Sequence, residues 1–311
     1  MIVSMVSLGC AKNLVDSERM LALLKQNGYV LTVKPNEADI AIVNTCGFIQ
    51  AAKEEAIDTI LELGALKASG SLKKIVVTGC LAERYKDEVA EQFPEVDAVV
   101  GIGDQPEIIR VLNEITAGER VTHFAPKCNM PLTGKRIIAT LPFFAYLKVA
   151  EGCSNGCTYC AIPQIRGKFR SVPMEDVLAE ARTLAESGVQ ELIVIAQDTT
   201  RYGEDLYGES RLPELLHELC KIEGFRWIRV LYCYPERLSD ELHPISLLTF
   251  YIFSLYLSTN KTVQNHHSAC RQYRIYFLSV TICFKFTRLC HFSVNRSDSP
   301  LQTYHLFGIY A

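Results

Sequence analysis

Six of the twelve cysteines in this 311-residue chain fall into two groups of three whose positions suit metal chemistry. The first group lies in the stretch EGCSNGCTYC, as Cys153, Cys157 and Cys160. Three thiols are one fewer than the four ligands that close a structural zinc site. A four-iron cluster held by three thiolates leaves one iron free to bind a substrate or cofactor. We therefore expect an iron–sulfur cluster with an open position here, with zinc or a disulfide as the alternatives.

The second group of cysteines is spread over the first 80 residues. Three similar segments, SLGCAKN, VNTCGFI and VTGCLAE, place Cys10, Cys46 and Cys80 where an apolar run ends and a helix approaches. Because the carboxyl ends of parallel strands share one edge of a sheet, we expect these three thiols to converge. Convergent thiolates suit a second iron–sulfur cluster, again with one position open. The alternative is that each cysteine is a small buried apolar side chain.

Residues 1–118 alternate short apolar runs with helical patterns, which is typical of a parallel sheet covered by helices on both faces. The runs rich in β-branched residues predict strands at VSMVSLG, ADIAIVNT, KKIVVTG and VDAVVG. Apolar spacings of three and four predict helices at SERMLALLKQNG, IQAAKEEAIDTILELGALKAS and LAERYKDEVAEQF. Each cysteine of the second group then follows a predicted strand.

A linker over residues 119–138, with two prolines and a glycine, leads to a second alternating series over residues 139–242. The series predicts strands at FFAYLKVA, QELIVIAQ and RWIRVLY, and helices at VPMEDVLAEARTLAESG and LPELLHELCKIEG. This order is typical of the first half of a βα barrel. The stretch EGCSNGCTYC directly follows the first of these strands, at the mouth where barrel active sites lie.

The composition changes near Leu242. Residues 1–242 hold 26 basic and 34 acidic residues, a net charge of −8, whereas residues 243–311 hold six basic residues and one acidic residue. The last 69 residues also contain 13 of the 28 Phe and Tyr residues and one Gly. We expect this anomalous tail to be frameshifted or read-through sequence, and Cys270, Cys283 and Cys290 are assigned to no cluster. Its apolar part, residues 245–257, is too short to cross a bilayer as a helix of about 20 residues.

The cysteine pattern of the second series resembles that of a known enzyme class. The C-x₃-C-x₂-C pattern, with the aromatic Tyr159 before its last cysteine at the start of a βα barrel, resembles the signature of radical S-adenosylmethionine (SAM) enzymes. With the N-terminal cysteines, the resemblance narrows to the methylthiotransferases and covers residues 1–242. The stretches SLGCAKNLVDSE, VNTCGFI, EGCSNGCTYCAIPQIRGKFRS and IAQDTTRYG are similar to the branch that modifies a ribosomal protein. The branch that modifies tRNA typically has Gln-Met in place of Ala11-Lys12.

The resemblance implies an α/β fold: an N-terminal parallel-sheet methylthiotransferase domain, a truncated radical SAM βα barrel and a non-family tail. It implies that Cys153, Cys157 and Cys160 bind a [4Fe-4S] cluster whose open iron is chelated by SAM, which is cleaved to a 5′-deoxyadenosyl radical. Cys10, Cys46 and Cys80 would bind a second [4Fe-4S] cluster that carries the sulfur to be transferred.

The implied reaction adds a methylthio group to the β-carbon of an aspartate in ribosomal protein uS12. One SAM would methylate the sulfur, and a second would give the radical that abstracts hydrogen from that carbon. Two alternatives remain open: methylthio transfer to adenosine in tRNA, and an inactive remnant that binds iron–sulfur cluster without turnover.

Further residues are expected near the cofactor. Gln197, Asp198 and Thr199 end the second barrel strand, where with Tyr159 they would line the mouth and receive the ammonium of SAM. The alternative for Asp198 or Thr199 is a helix cap. Arg166 and Arg170 are expected to meet the cofactor carboxylate or the acidic substrate, or else to be solvated surface residues. Cys128, Cys220 and Cys233 fit no spacing and are expected to be ordinary thiols.

The expected partners are ribosomal protein uS12 or the small ribosomal subunit as substrate, and an electron donor such as a flavodoxin or ferredoxin. The chain is expected to be a monomer with no membrane association. The N-terminus has no basic residue before its short apolar run, which disfavours an export signal. We therefore expect a cytoplasmic protein with reduced cysteines.

Overall fold

The N-terminal part of the chain folds around a six-stranded, all-parallel sheet. The computed structural model describes residues 1–234 and 237, together with the backbone of Ile282–Lys285. The strands of the first sheet are β1 (Ile2–Ser7), β2 (Val30–Thr32), β3 (Ile40–Thr45), β4 (Lys74–Gly79), β5 (Ala98–Val100) and β6 (Val121–His123). They lie in the order β2-β1-β3-β4-β5-β6, so that β1, β3 and β4, which precede the three N-terminal cysteines, are neighbours.

Helices cover both faces of this sheet because successive strand residues point to opposite sides. In β3, Ile40 and Ile42 pack with the apolar residues of two helices, while Ala41 and Val43 pack with those of three others. The first face is covered by α1 (Ala11–Gln26) and α5 (Ile108–Thr116), and the second by α2 (Gln50–Ala68), α3 (Cys80–Arg84) and α4 (Lys86–Gln92). The doubly covered sheet that the alternating pattern predicts is confirmed.

The second sheet contains three parallel strands, β7 (Phe144–Lys148), β10 (Glu191–Ile195) and β11 (Trp227–Val230). Between them lie a short antiparallel pair, β8 (Ala150–Glu151) and β9 (Arg170–Ser171), and four helices. The helices are α6 (Ile162–Arg166), α7 (Met174–Glu186), α8 (Glu204–Tyr207) and α9 (Leu212–Cys220). The strands and the larger helices α7 and α9 share one apolar core, as expected for part of a βα barrel.

Several boundaries differ from the sequence prediction. The helix predicted from Ser17 begins at Ala11, directly after Cys10, and the helix predicted over residues 81–93 is divided at Tyr85. β2 and β6 were not predicted, since each has only three residues. β6 lies within the segment expected to be a linker, so the sheet extends past residue 118.

The rest of that segment is fixed to α1 by buried polar contacts. The Glu18 carboxylate accepts hydrogen bonds from Arg136 Nη1 at 3.1 Å and from the Ala139 N–H at 2.8 Å. Arg19 donates to the carbonyls of Pro131 and Leu132. Burial raises the pKa of Glu18 although the Arg136 cation opposes the rise. These contacts hold the linker against α1, the helix that directly follows Cys10.

Most of the tail lies outside the described residues, including the apolar run at 245–257. Four of its residues form β12 (Ile282–Lys285), which pairs antiparallel with β11 at the edge of the second sheet. No strand pattern was evident there in the sequence. Among the described residues, no helix combines the length and the apolar character needed to span a membrane.

Candidate functional site

The three N-terminal cysteines lie on neighbouring strand-to-helix turns. Cys10 follows β1 and immediately precedes α1, Cys46 follows β3, and Cys80 is the first residue of α3 after β4. Gly9 allows two of these turns to meet, because it has a φ of +84° and a methyl group there would lie 2.4 Å from Cys46 Cβ and 2.8 Å from Cys46 Sγ. The convergence predicted from strand topology is therefore present.

These thiols are partly withdrawn from water. Cys80 is buried, and burial raises its pKa to about 11, although the nearby Arg166 cation partly opposes the rise. Burial also raises the pKa of Cys46. A buried thiol keeps its proton unless a cation or a metal stabilises the thiolate. The pocket therefore suits thiols that become thiolates only when they bind a positively charged group.

The second cysteine group lies in a loop that is fixed by hydrogen bonds to other residues of the barrel domain. The Cys153 N–H donates to the Gly167 carbonyl at 3.1 Å. Asn155, between the first two cysteines, donates from Nδ2 to Asp198 Oδ2 at 2.8 Å and accepts from Arg201 Nη1 at 2.9 Å. The residues that follow β10 thus fix the shape of the cysteine loop.

The two cysteine groups line the same cavity, although they lie in separate domains of the sequence. Its volume is about 380 Å³, and its wall includes Cys10, Cys46, Cys80, Cys153, Cys157 and Cys160. All nine cysteines in the described part of the chain are free thiols. Within that part, no three Cys, His, Asp or Glu side chains converge closely enough to bind one metal ion. Each iron of a cluster is bound by a different cysteine, so a cluster does not require such convergence.

A buried ion-pair network next to this cavity joins the two domains. Arg166 Nη1 donates to Asp16 Oδ2 at 2.7 Å and to Glu151 Oε2 at 3.1 Å, and Lys148 Nζ also contacts both carboxylates. Burial would raise the pKa of Glu151, but the Lys148 and Arg166 cations outweigh it and lower that pKa strongly. The two cations, Lys148 and Arg166, and the two carboxylates therefore neutralise one another beside the cavity.

Arg166 also provides a test of whether the cavity fits a cluster. Its side chain lines the cavity and is fully buried, and its Nη2 donates to Asn13 Oδ1 at 3.0 Å. Its side chain also hydrogen-bonds to the Cys80 thiol. A cation beside a thiol stabilises the thiolate that binds metal, and six thiols are the donor set that iron–sulfur clusters prefer. The residues present therefore fit such a group.

The structure separates the residues that were expected to surround the cofactor. Gln197 lines the cavity, whereas Asp198 is buried against Asn155 and Thr200, and Thr199 Oγ1 donates to the Leu231 carbonyl at 2.6 Å. Asp198 occupies the N-cap position of the 3-10 turn Thr199–Arg201, but its carboxylate accepts no hydrogen bond from a backbone N–H of that turn. Tyr159 is 58% exposed and is not part of the cavity wall.

The two arginines differ from each other. Arg166 lines the cavity, and the alternative of a solvated surface residue is wrong for it, because it is buried and its guanidinium contacts Asp16. Arg170 donates to the carbonyls of Lys127, Cys128 and Met130, so it holds the linker segment instead of facing the cavity. The exposed Cys128 and the remaining described cysteines, Cys220 and Cys233, are absent from the cavity wall, as expected of ordinary thiols.

Sequence reasoning missed three polar residues that line the cavity with the cysteines: Lys12, Tyr232 and Tyr234. Lys12 Nζ lies 3.3 Å from the centroid of the Tyr232 ring. The tyrosines follow the third barrel strand, where barrel active-site residues are expected. Lys12 follows Cys10 by two residues, and its position beside a cysteine at a strand end was the available signal.

Comparisons with known proteins agree with this architecture. Residues 3–101 match an uncharacterized protein family, UPF0004, and residues 147–261 match the radical SAM superfamily. The second match extends beyond Leu242, where the composition changes. The chain is 52% identical over 245 residues to the ribosomal protein uS12 methylthiotransferase RimO of Clostridioides difficile, and 53% identical over 238 residues to that of Lachnoclostridium phytofermentans. These alignments cover 77% and 76% of this chain and 54% of each relative, so the chain spans about half the length of the curated relatives it matches.

Among solved structures, the chain is similar to TsrM, a radical SAM methyltransferase from Kitasatospora setae with cobalamin and a [4Fe-4S] cluster bound. The sequence identity is 13%, the TM-score is 0.49, and the similarity covers 71% of this chain and 52% of TsrM.

Proposed function

Residues 1–242 belong to the methylthiotransferase family of radical SAM enzymes, and from this premise we propose that they form the site of methylthio transfer to ribosomal protein uS12. The acceptor atom is the β-carbon of an aspartate. The observation that carries the proposal is the cavity lined by both cysteine groups. Methylthio transfer requires the sulfur-carrying site and the radical-generating site to face the same substrate. The cavity wall contains the cysteines proposed for both sites.

We propose that Cys153, Cys157 and Cys160 hold one [4Fe-4S] cluster and that Cys10, Cys46 and Cys80 hold a second. When bound, the clusters and SAM supply the electron, the radical chemistry and the methylthio group. A radical is needed because the hydrogen on such a carbon is too inert for a protein base to remove. The chain itself has to position these groups and exclude water.

Several residues of the chain are placed to position these groups. Asn155 and Asp198 fix the loop between Cys153 and Cys157, and Gln197 presents an amide to the cavity next to that loop. The Asp16–Arg166 pair fixes the N-terminal domain against the barrel. This fixed geometry supports a reaction that depends on holding reactants in the correct orientation.

The choice of acceptor is supported by the names of the relatives, which are uS12 methylthiotransferases at 50–53% identity. An acceptor on the small ribosomal subunit would place the protein in the cytoplasm. An electron donor of the flavodoxin or ferredoxin type and a monomeric state remain parts of the proposal. Residues 243–311 are proposed to add nothing to the site.

The test is anaerobic incubation of the reconstituted chain with reductant and SAM labelled in its methyl group, with uS12, small ribosomal subunits and tRNA as separate acceptors. The proposal predicts label in uS12 at an aspartate, identified by peptide mass spectrometry. Label in tRNA would support the sibling activity instead. Loaded clusters with no labelled product in any acceptor would support a cluster-binding remnant.

A further inference from the structure

Lys12 is a buried cation on the wall of the cavity that contains the six cysteines. Its side chain is 4% exposed, yet it lines the cavity. Its Nζ donates one hydrogen bond, to the Ala196 carbonyl, at the long distance of 3.4 Å. An ammonium carries three N–H donors, so the described contacts leave donors of Lys12 for a ligand.

No carboxylate among the described residues pairs with Lys12 within 4.0 Å. The carboxylates of Asp16 and Glu151 are already shared between Lys148 and Arg166. Burying a charge without a partner is unfavourable, and buried charges in proteins are normally paired. Cys10 and Cys80, as thiolates, are one source of negative charge near Lys12, and a molecule that enters the cavity is the other.

The ring of Tyr232 also contacts the Lys12 ammonium. Tyr232 is the single non-glycine residue with a positive φ, +62°, in the described part of the chain. A bulky residue in this conformation is strained, and such strain persists where the surrounding structure requires it, frequently at binding sites. Here the turn places the ring 3.3 Å from Lys12 Nζ, where a cation–π contact orients the ammonium without neutralising it.

We propose that Lys12, oriented by Tyr232, binds the side-chain carboxylate of the acceptor aspartate and selects it as substrate. This inference rests on the proposed function. Lys12 is two residues from Cys10 and on the same helix as Asp16, on the side of the cavity formed by the N-terminal cysteines. A carboxylate held there has its β-carbon one bond away, next to the cysteines proposed to hold the sulfur-carrying cluster.

Two other anions are chemically comparable: the carboxylate of SAM and the cysteine-bound cluster itself. Lys12 Nζ donates to the carbonyl of Ala196, which precedes Gln197 where SAM is proposed to bind, so the SAM carboxylate is a close competitor. If the carboxylate belongs to the substrate, replacing Lys12 should leave SAM binding and iron content unchanged. The experiment separates the three sources.

The test uses the reconstituted chain without reductant, so that no turnover occurs. The probes are a fluorescent synthetic peptide of uS12 containing the acceptor aspartate and the same peptide with asparagine at that position. Fluorescence anisotropy gives the dissociation constant of each peptide for the wild type and for Lys12→Met, Lys12→Gln and Lys12→Arg. Lys34→Met, which removes an exposed ammonium, is the matched control for net charge.

The wild type and Lys34→Met should bind the aspartate peptide about tenfold or more tightly than the asparagine peptide, as expected for a charge-assisted hydrogen bond. Lys12→Met and Lys12→Gln should lose this preference while keeping iron content and SAM affinity, and Lys12→Arg should keep part of it. No preference in the wild type, or an undiminished preference in Lys12→Met, would overturn the inference. Lost iron or weakened SAM binding with the preference intact would assign Lys12 to the cluster or to SAM.

The two proposals fail in different ways. Methylthio transfer to uS12 together with an unchanged peptide preference in Lys12→Met would remove only the role of Lys12. Transfer to tRNA and not to uS12 would remove the proposed function, whatever the peptide measurements show.

Discussion

Asp16 and Arg166 are 150 positions apart in the chain, and their side chains meet at 2.7 Å with neither exposed to solvent. Asp16 lies on α1 of the N-terminal domain and Arg166 ends α6 of the barrel domain. Their contact lies beside the wall that both cysteine groups share. It is one of the buried contacts that join the two domains beside the cavity.

Removing Asp16 should therefore destabilise the docked chain. Asp16→Ala leaves Arg166 and Lys148 as buried cations with one carboxylate between them, which is expected to cost about 3–5 kcal/mol. The change in the free energy of unfolding is measured by urea titration of the metal-free chain. Glu37→Ala breaks the exposed pair with Lys34 and should cost less than about 1 kcal/mol. Equal effects of the two substitutions would show that the buried pair does not dock the domains.

Gly9→Ala should reduce the iron bound by the N-terminal cysteines. The added methyl group would overlap Cys46 Cβ and Sγ, so Cys46 has to move out of its position. Gly28→Ala is the matched control, because its φ of +82° imposes a similar backbone penalty, about 1–2 kcal/mol, and its methyl group would meet nothing within 4 Å. Iron content after reconstitution should fall toward half in Gly9→Ala and remain at the wild-type level in Gly28→Ala. Equal iron in both would mean that Cys46 is not a ligand.

Asp97 should make the stability of the first domain depend on pH. Burial would raise its pKa, but hydrogen bonds from Lys67, the Ile75 N–H and Lys74 outweigh burial and lower it. A lowered folded-state pKa gives stability that is present above the unfolded-state pKa and is lost as the pH falls through the folded-state pKa.

Asp97→Asn should therefore be less stable than the wild type at neutral pH, on the order of 1–2 kcal/mol after allowance for the partial exposure of both lysines. The difference should shrink in acid, where the wild-type carboxylate is protonated. Urea titrations of both metal-free chains across the acid range measure it. A difference that does not depend on pH would contradict this role of the Asp97 charge.

Gln197 should contribute to SAM binding, and Thr199 should not. Gln197 lines the cavity, whereas the Thr199 hydroxyl donates to the Leu231 carbonyl. Loss of one hydrogen bond in Gln197→Ala should weaken SAM binding about three- to tenfold. The measurement is the perturbation of the cluster's electron paramagnetic resonance spectrum at increasing SAM concentration, with Thr199→Val as control. Unchanged affinity in Gln197→Ala, or no perturbation in the wild type, would contradict the proposed SAM position.

The sequence predicts the individual cysteine turns well because each depends on local features. The β-branched runs before Cys10, Cys46 and Cys80 have strand character, and parallel strands bring their carboxyl ends to one edge. The C-x₃-C-x₂-C loop is likewise a local pattern. Short elements such as β6 escaped prediction because three residues carry no periodicity.

The common cavity was not predictable in the same way. It depends on the docking of α1 against the barrel through Asp16, Arg166 and Glu151, contacts that a periodic pattern does not encode. The burial of Arg166 in this network was not predictable for this reason, since a surface arginine and a buried one look alike in sequence. Lys12 became visible as an unpaired cation only when the position of every nearby carboxylate was known.

The central claim is that two clusters share this cavity, and iron content tests it most directly. Reconstitution of the wild-type chain should give about eight irons per chain. Simultaneous replacement by alanine of Cys153, Cys157 and Cys160, or of Cys10, Cys46 and Cys80, should leave about four in each case. The control chain, with Cys128, Cys220 and Cys233 replaced by alanine, should retain all of the iron. Full iron content in either of the first two variants would contradict the account.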